Sequence, residues 1–262
     1  MTTVNNRRVR IGVQIAQQHV DYPAIRHTAA QVEDAGVDII FNWDHFFPIS
    51  GDPDGKHFEC WTMLGAWAEQ TSRVELGPLV SSNGFRNPEL VADMARTVDH
   101  ISGGRLVLGV GAGAMERDYA GYGYEFGTPG SRLDALAGSL ARMRSRFATL
   151  NPAPTRKIPI LIGGGGEKKT LPLVARYADI WHWFSSGEEF ARKKQVLAQQ
   201  CAAIGRDVGE IELSAGVGGD PEQTGPALLE QGVTTFTMEV HGPEFDLSPV
   251  RAWVAWRDKL GN

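Results

Sequence analysis

The chain alternates eight times between a short apolar run and a helical pattern. The apolar runs lie at Val9 to Ile15, Asp38 to Asn42, Arg73 to Val80, Arg105 to Val110, Ile158 to Ile162, Asp179 to His182, Glu210 to Ser214 and Thr234 to Met238. The helical patterns lie at Tyr22 to Gly36, Glu59 to Gln70, Pro88 to Ile101, Ser131 to Phe147, Leu171 to Tyr177, Glu188 to Ile204, Pro221 to Gln231 and Ser248 to Leu260. Eight such units predict an α/β protein, a (β/α)8 TIM barrel, whereas an open doubly wound sheet usually has five or six strands. Because no linker divides the chain, we predict a single domain over residues 1–262.

The composition favours a protein that acts on small molecules. The formal net charge of −5 is spread over interspersed acidic and basic residues, so the chain lacks the charged block that attracts nucleic acid or anionic lipid. No apolar run approaches the roughly 20 residues of a membrane span, and the start of the chain does not resemble a signal peptide. We therefore expect a cytoplasmic protein. Cys60 and Cys201 lack the spacing of a zinc site or a disulfide framework, so we expect buried thiols and no metal.

The end of the second predicted strand carries Trp43, Asp44 and His45. In a (β/α)8 barrel the catalytic groups lie at the carboxyl ends of the strands. A histidine there can exchange protons near neutral pH, and an adjacent carboxylate can orient it or stabilise its cation. Alternatively, Asp44 caps a turn and His45 packs on Phe46. The position at a strand end favours a catalytic role.

The end of the third predicted strand is small and polar, with Ser81 and Ser82 where the strand opens onto the cavity. A flat ring could lie against such residues. Asn87 before Pro88 indicates a helix N-cap. We interpret Arg86 as a surface residue or a phosphate contact. The start of a helix explains half of this segment but does not explain Ser81 and Ser82.

The fourth predicted strand runs into Gly109, Gly111 and Gly113, and Arg117 follows. Glycine lets backbone N–H groups approach a ligand closely, and arginine pairs with phosphate or carboxylate. The segment is not a dinucleotide fingerprint, because no long helix follows at once, and tight turns use glycine in any case.

The fifth predicted strand ends in four consecutive glycines, Gly163 to Gly166, followed by Lys168 and Lys169. Ordering four glycines is costly, and the usual compensation is a nest of N–H groups that faces an anion at a helix N-terminus. A flexible surface loop is the alternative. Pro172 suits only the first turn of a helix, so we predict that the helix starts with Thr170 as its N-cap.

The sixth predicted strand places His182 between Trp181 and Trp183. Alternation points the histidine and the tryptophans to opposite faces, and either face could be the interior. We interpret these residues as walls of the cavity. We assign no role to His19 or His57.

These motifs together resemble the luciferase-like monooxygenase family, specifically its coenzyme F420-dependent branch. They are GVQ, WDHFFP, TSRVELG, FRNP, DHISGGRLVLGVGAG, YG, RLDAL, IPILIGGGGEKKTL and ARYAD, in this order between Arg10 and Phe184. The resemblance implies a (β/α)8 barrel that holds the deazaflavin at its C-terminal face. It also implies a non-proline cis peptide behind the ring, at the exit of the third strand, which here would fall near Leu79 and Val80. It implies cofactor contacts by Leu79, Val80, Ser81, Ala112, Gly113 and Arg117, a phosphate site at Gly164, Gly165 and Gly166, and Asp44 and His45 beside the ring. It also implies a homodimer.

Three departures from the family pattern stand out. Ala114 occupies the place where relatives that oxidise sugar phosphates carry a glutamate, which makes that substrate class a poor expectation. The segment from Phe147 to Ile158 lacks a long insertion that many relatives have, so we expect an open pocket or one completed by a partner subunit. Pro172 is unusual for the family and lies close to the expected phosphate loop.

We hypothesise an oxidoreductase in which reduced F420 exchanges a hydride with a small organic substrate, and His45, oriented by Asp44, donates or accepts the proton. Lys168, Lys169 and Arg117 could hold the acidic tail of the cofactor. Three alternatives stay open at this point: an FMN-dependent monooxygenase, a non-catalytic F420-binding protein, and a metal-dependent barrel hydrolase. The last would need convergent histidine and carboxylate ligands, and the first strand lacks an HxH motif.

Overall fold

The computed structural model describes residues 3–4, 7–184 and 187–261. Its strands are β1 (Thr3–Val4), β2 (Arg7–Arg8), β3 (Arg10–Ile15), β4 (Ile39–Asn42), β5 (Glu75–Pro78), β6 (Ser81–Ser82), β7 (Leu108–Gly111), β8 (Ile160–Gly163), β9 (Ile180–Trp183), β10 (Glu212–Gly216) and β11 (Val233–Val240). Its helices are α1 (Tyr22–Asp34), α2 (Cys60–Gln70), α3 (Pro88–Ile101), α4 (Glu116–Tyr122), α5 (Pro129–Phe147), α6 (Thr170–Tyr177), α7 (Glu188–Ala203), α8 (Pro221–Glu230) and α9 (Ser248–Lys259). Short 3-10 turns lie at Asn83–Phe85 and Val208–Glu210.

The strands β3 to β11 form a parallel barrel, in the order β5-β4-β3-β11-β10-β9-β8-β7-β6. The segments β5 and β6 are two parts of the third barrel strand, which the peptide between Leu79 and Val80 interrupts. A parallel bridge between Leu76 and Leu106 joins β5 to the residues that lead into β7 and completes the barrel. The predicted (β/α)8 barrel is therefore confirmed.

The interior of the barrel is layered. At the amino ends of the strands, Arg10 pairs with Glu212 at 2.9 Å and with Glu75. Above this ionic layer lies a buried apolar cluster of Ile39, Phe41, Leu79, Val107, Leu161 and Ile180. The strands end above it in polar and glycine residues, so the closed lower layers leave the carboxyl end as the place for a site.

A larger apolar core lies between the barrel and the surrounding helices, and helix α3 shows how the sequence builds it. The Asn87 side chain accepts hydrogen bonds from the N–H groups of Glu89 (2.9 Å) and Leu90 (3.3 Å), and Pro88 occupies the first helical position. This arrangement confirms the predicted N-cap. The buried stripe of α3 consists of Val91, Ala92, Ala95 and Val98, which recur at helical spacing.

Several local predictions were wrong. The helix α4 was not predicted, because its seven residues are too few to show a helical period. The N-cap of α6 is Lys169, one residue earlier than expected, and Thr170 is already helical. Pro172 does lie in the first turn of α6. In the part of the chain that the structure describes, no helix combines the length and apolarity needed to cross a membrane.

Candidate active site

His45 lies at the carboxyl end of the barrel and is held by Asp118. The two side chains meet at 2.6 Å between Nδ1 and Oδ2. Asp118, which is fully buried on α4, also accepts hydrogen bonds through Oδ1 from the N–H groups of Phe46 (2.8 Å) and Phe47 (3.3 Å). The expectation that Asp44 orients His45 is therefore wrong. Neighbouring residues in an extended segment point to opposite sides, and α4 supplies the carboxylate on the side of His45.

Asp44 instead ties the second barrel strand to the third. Its buried carboxylate accepts hydrogen bonds from Arg86 at 2.6 and 3.1 Å, from the Ser81 hydroxyl at 2.9 Å and from the Ser82 N–H at 2.9 Å. Arg86 also pairs with Glu59 at 2.6 Å. Both carboxylates raise the pKa of the Arg86 guanidinium, although burial opposes them. Arg86 therefore belongs to an internal ion-pair network with Asp44 and Glu59, and it is neither a surface residue nor a free phosphate contact.

The wall at the third strand is formed by Val80 packed against glycines. The peptide between Leu79 and Val80 is cis, at the position that the family resemblance implies. A Cβ atom on Gly111 would lie 2.5 Å from the Val80 side chain, and one on Gly163 would lie 3.2 Å from it. Glycine at these two positions therefore makes room for Val80. The Leu79 carbonyl accepts a hydrogen bond from Gln14 Nε2 at 2.9 Å.

A cavity of about 410 Å³ opens at the barrel mouth. Its lining consists of Gln14, His182, Phe184, Gly216, Val217, Gly218, Thr237 and Glu239. His182 is fully buried, and burial lowers its pKa to about 3. Its Nδ1 lies 2.8 Å from the Ser214 hydroxyl. Trp181 points the other way and stacks on Phe190 of α7, so the expectation that Trp181 forms a wall of the cavity is wrong.

The glycine loop after β8 is held through its carbonyl groups. The carbonyls of Gly164, Gly165 and Gly166 accept hydrogen bonds from Trp181 Nε1 (2.8 Å), Lys193 Nζ (2.8 Å) and the Leu171 N–H (2.9 Å), respectively. Within the described ranges, the N–H groups of Gly165 and Gly166 meet no acceptor in the protein. Gly164 has φ of +117°, which favours glycine. The loop is thus held by three hydrogen bonds and has two N–H groups unpaired among the described residues, which favours an anion nest over a flexible loop.

The described lining of the mouth cavity includes none of the predicted cofactor residues, and Arg117, Ala112 and Gly113 have other surroundings. The Arg117 guanidinium pairs with Asp54 at 2.6 Å and lies 4.3 Å from the centre of the Phe47 ring. Ala112 lines a separate cavity of about 230 Å³. Gly113 has φ of +84°.

The two lysines after the glycine loop lie on the surface. Both are exposed; Lys169 pairs with Asp134 at 2.6 Å, and Lys168 has no ion pair among the described residues. Lys168 therefore has the freer charge of the two.

A chain of aromatic and histidine side chains connects the mouth cavity to the surroundings of His45. Glu239 lies 3.2 Å from His241, whose ring centre is 6.5 Å from that of Trp43. The Trp43 Nε1–H donates to His57 at 3.1 Å. Burial and then the charge of His45 lower the pKa of His57 to about 4. The cavity and His45 therefore belong to one face of the barrel.

Sequence reasoning missed Asp118, Thr237 and Lys193 and gave His182 no specific role. Strand alternation identified the two possible faces of His182 but not which one was internal. Asp118 carried no signal, since the helix that holds it was not predicted. Among the residues that the structure describes, no group of three histidine, cysteine or acidic side chains is placed to hold a metal ion.

Comparison with known proteins places this geometry in context. The sequence profile of the luciferase-like monooxygenases matches residues 7–218. An uncharacterized protein of Mycobacterium tuberculosis (strain ATCC 25618 / H37Rv) is 30% identical over 183 residues, which cover 61% of this chain and 64% of that protein. The F420-dependent glucose-6-phosphate dehydrogenase of Amycolatopsis mediterranei (strain U-32) is 28% identical over 189 residues, 65% of this chain and 54% of the enzyme. The chain thus spans less than two thirds of the length of these curated relatives.

Among solved structures, an F420-dependent secondary alcohol dehydrogenase in complex with an F420-acetone adduct has a similar fold. Its TM-score is 0.78 at 16% sequence identity, over 89% of this chain and 93% of that chain. At this identity the likeness supports the fold alone.

Proposed function

Because the chain belongs to the luciferase-like monooxygenase family, we propose that it is an oxidoreductase that transfers a hydride between bound coenzyme F420 and a small organic substrate. The relatives that are named F420-dependent enzymes support this choice of cofactor. The residues at the carboxyl end of the barrel fit a flat ring that carries a phosphate.

The observation that carries the proposal is the glycine loop, which the protein holds by its carbonyls while the N–H groups of Gly165 and Gly166 stay available. Backbone N–H groups ahead of a helix bind phosphate well. A side chain at either position would crowd this loop, because a Cβ atom would lie 2.8 Å from Lys193 at Gly165 and 2.8 Å from Thr170 at Gly166. We assign the phosphate to this loop and the ring to the wall formed by Leu79 and Val80.

Bound F420 would supply or take up the hydride at its ring. The protein's part is to hold and move a proton, and we assign this to His45. Because Asp118 Oδ2 lies 2.6 Å from Nδ1, the neutral imidazole carries its proton on Nδ1 and leaves Nε2 free to accept one. Asp118 also stabilises the imidazolium that forms when Nε2 takes up a proton. Asp118 is thus a positioning residue.

The main alternative is an FMN-dependent monooxygenase, which the family name also allows. Both cofactors carry a phosphate next to a ribityl chain, so the glycine loop suits either. A non-catalytic F420 carrier is the second alternative. Titration of the purified protein with F420 and, separately, with FMN, followed by fluorescence, distinguishes these readings. We expect F420 to bind at lower concentration; binding of FMN alone would favour the monooxygenase.

The phosphate loop is tested with Gly165→Asp, which adds a carboxylate among the free N–H groups. Since any side chain at this position meets Lys193 and Trp183, Gly165→Ala is the matched control for size. We expect both variants to bind F420 more weakly than the wild type, and Gly165→Asp more weakly than Gly165→Ala. Equal affinities of the two variants would remove the loop from the phosphate site.

The role of Asp118 is tested with Asp118→Asn, which keeps the size of the side chain. An amide can present an N–H to Nδ1 and so favour the wrong tautomer. We expect kcat to fall by roughly 100-fold or more, as for loss of a general acid or base, with little change in the F420 dissociation constant. An unchanged kcat would show that His45 does not depend on this carboxylate.

A further inference from the structure

Two residues that line the mouth cavity each carry a buried polar atom without a hydrogen-bond partner in the part of the chain that the structure describes. They are Nε2 of His182 on β9 and Oγ1 of Thr237 on β11, two strands that β10 separates. Both residues line the cavity, and they are 0% and 4% exposed. Buried polar groups in native proteins are nearly always paired with protein or with ordered water, so these two atoms are free to bind a ligand that enters the cavity.

The hydrogen bond to Ser214 indicates which ring nitrogen of His182 carries the proton. The buried Ser214 hydroxyl has His182 Nδ1, at 2.8 Å, as its one hydrogen-bond partner among the described residues. A hydroxyl that has no other acceptor donates to Nδ1, which leaves the proton of the neutral imidazole on Nε2. Burial keeps the imidazole neutral by lowering its pKa. His182 therefore presents one N–H donor to the cavity.

The other lining residues define what this donor can bind. Among the described residues, the lining contains no lysine or arginine, and Glu239 places a carboxylate at its half-exposed rim. A phosphate or carboxylate would meet this negative charge without a compensating cation. Phe184 packs edge-on against the imidazole with ring centres 4.6 Å apart, and Gly216 and Gly218 add no side chains. The cavity therefore suits a neutral group with a hydrogen-bond acceptor and a flat or small apolar body.

We propose that His182, through Nε2–H, binds a carbonyl oxygen of a ligand in the mouth cavity, which Thr237 also lines. This inference rests on the proposed function, under which the carbonyl belongs to a neutral substrate or to the dione edge of the cofactor ring. Contact between Gln14 and the Leu79 carbonyl places the cavity next to the wall assigned to the ring. If the carbonyl is the substrate's, the substrate class is a neutral carbonyl compound rather than a phosphorylated sugar.

The test is long-range ¹H–¹⁵N NMR of histidine-labelled protein, with the His182 signals assigned by their loss in His182→Gln. In the free protein we expect Nε2 protonated and Nδ1 unprotonated; the opposite tautomer would overturn the proposal. F420 is then added, with its binding followed separately by fluorescence, and acetone is added as the carbonyl probe in the presence and absence of F420. His100 lies on the surface of α3, with its Nε2 at hydrogen-bond distance from the Ala153 carbonyl, and serves as the internal control.

The two sources of the carbonyl give different results. A shift of the His182 Nε2 signal on addition of F420 alone assigns the ring carbonyl, and a shift on addition of acetone assigns the substrate carbonyl. If F420 binds by fluorescence and neither addition moves the signal, the proposal is wrong while the proposed function stands. If F420 does not bind and acetone moves the signal, the proposed function fails and the subsite stands. If F420 does not bind and acetone does not move the signal, both the proposed function and the carbonyl subsite are wrong.

Two variants give a second readout. His182→Gln retains an N–H donor of similar reach, and His182→Leu removes it. We expect the Leu variant to bind the assigned ligand roughly threefold to tenfold more weakly, as for loss of one neutral hydrogen bond. The Gln variant should stay close to the wild type. Equal binding by the Leu variant would contradict a hydrogen bond from this side chain. Should it fail to fold, the NMR measurement on the wild type still decides.

Discussion

Replacing Asp44 by asparagine tests whether this residue is a structural tie rather than a catalytic partner of His45. Asp44 is 1% exposed, and its carboxylate receives two hydrogen bonds from Arg86. Removing one member of a buried ion pair typically costs about 3 to 5 kcal/mol. We expect the lower end, about 3 kcal/mol, because Glu59 remains as a partner for Arg86 at 2.6 Å.

The melting temperature should fall accordingly. At about 2 to 4 °C per kcal/mol for a chain of this size, the expected decrease is about 6 to 12 °C. Scanning calorimetry measures it, and urea denaturation followed by circular dichroism gives the free energy of unfolding. Asp54→Asn is the matched control, since Asp54 pairs with Arg117 on the surface and is 82% exposed. That variant should lose about 1 kcal/mol or less.

A double-mutant cycle with Arg86→Met identifies the partner. If the two side chains stabilise each other, the double variant loses less stability than the sum of the single variants, by about 1 kcal/mol or more. Additive losses, or an Asp44→Asn protein with the stability of the wild type, would refute the assignment of Asp44 to a buried tie.

Three further measurements test other parts of the structure. Burial lowers the pKa of His182 from 6.5 to about 3, so below pH 6.5 the unfolded chain binds a proton that the folded protein does not, and stability falls as the pH decreases. His182→Gln should reduce the slope of unfolding free energy against pH between pH 6 and 4 by about 1.4 kcal/mol per unit; an unchanged slope in urea titrations would mean that this histidine is not buried in neutral form. Gly138 lies inside α5 with open space at its Cβ position. The Gly138→Ala substitution should stabilise the protein by about 0.5 to 1 kcal/mol, and a lower melting temperature would show crowding at this position. Gly111→Ala should weaken F420 binding by displacing Val80, and Val80→Ala in the same chain should recover part of the loss; absence of any recovery would indicate that the two side chains do not compete for space.

The repeated strand-helix pattern was sufficient to predict the barrel, because its period is set by local sequence. Helix α3, for example, was predicted with its observed bounds, Pro88–Ile101, since an N-cap and an apolar stripe define it. The same logic placed Trp43, Asp44 and His45 at a strand end that faces the mouth. It could not distinguish the partners of Asp44 and His45, which come from elements distant in sequence. Arg86 lies 42 residues from Asp44, and Asp118 lies 73 residues from His45.

The glycine loop shows the same limit. Four consecutive glycines indicated an anion site from local chemistry alone, and the structure adds how the loop is ordered. Its supporting donors, Trp181 and Lys193, lie on β9 and α7. Their contribution depends on tertiary packing, which no spacing in the sequence encodes.

The ionic and apolar layers that fill the lower barrel have a kinetic consequence. Arg10 and its two glutamates, with Phe41 and the other apolar side chains above them, fill the axis in the part of the barrel that the structure describes. A molecule bound deep in the mouth must therefore leave through the opening by which it entered. If two molecules occupy that opening in succession, the outer one has to depart before the inner one can. Initial-rate measurements should then show compulsory order in binding and release, with the deeper ligand first to arrive and last to go.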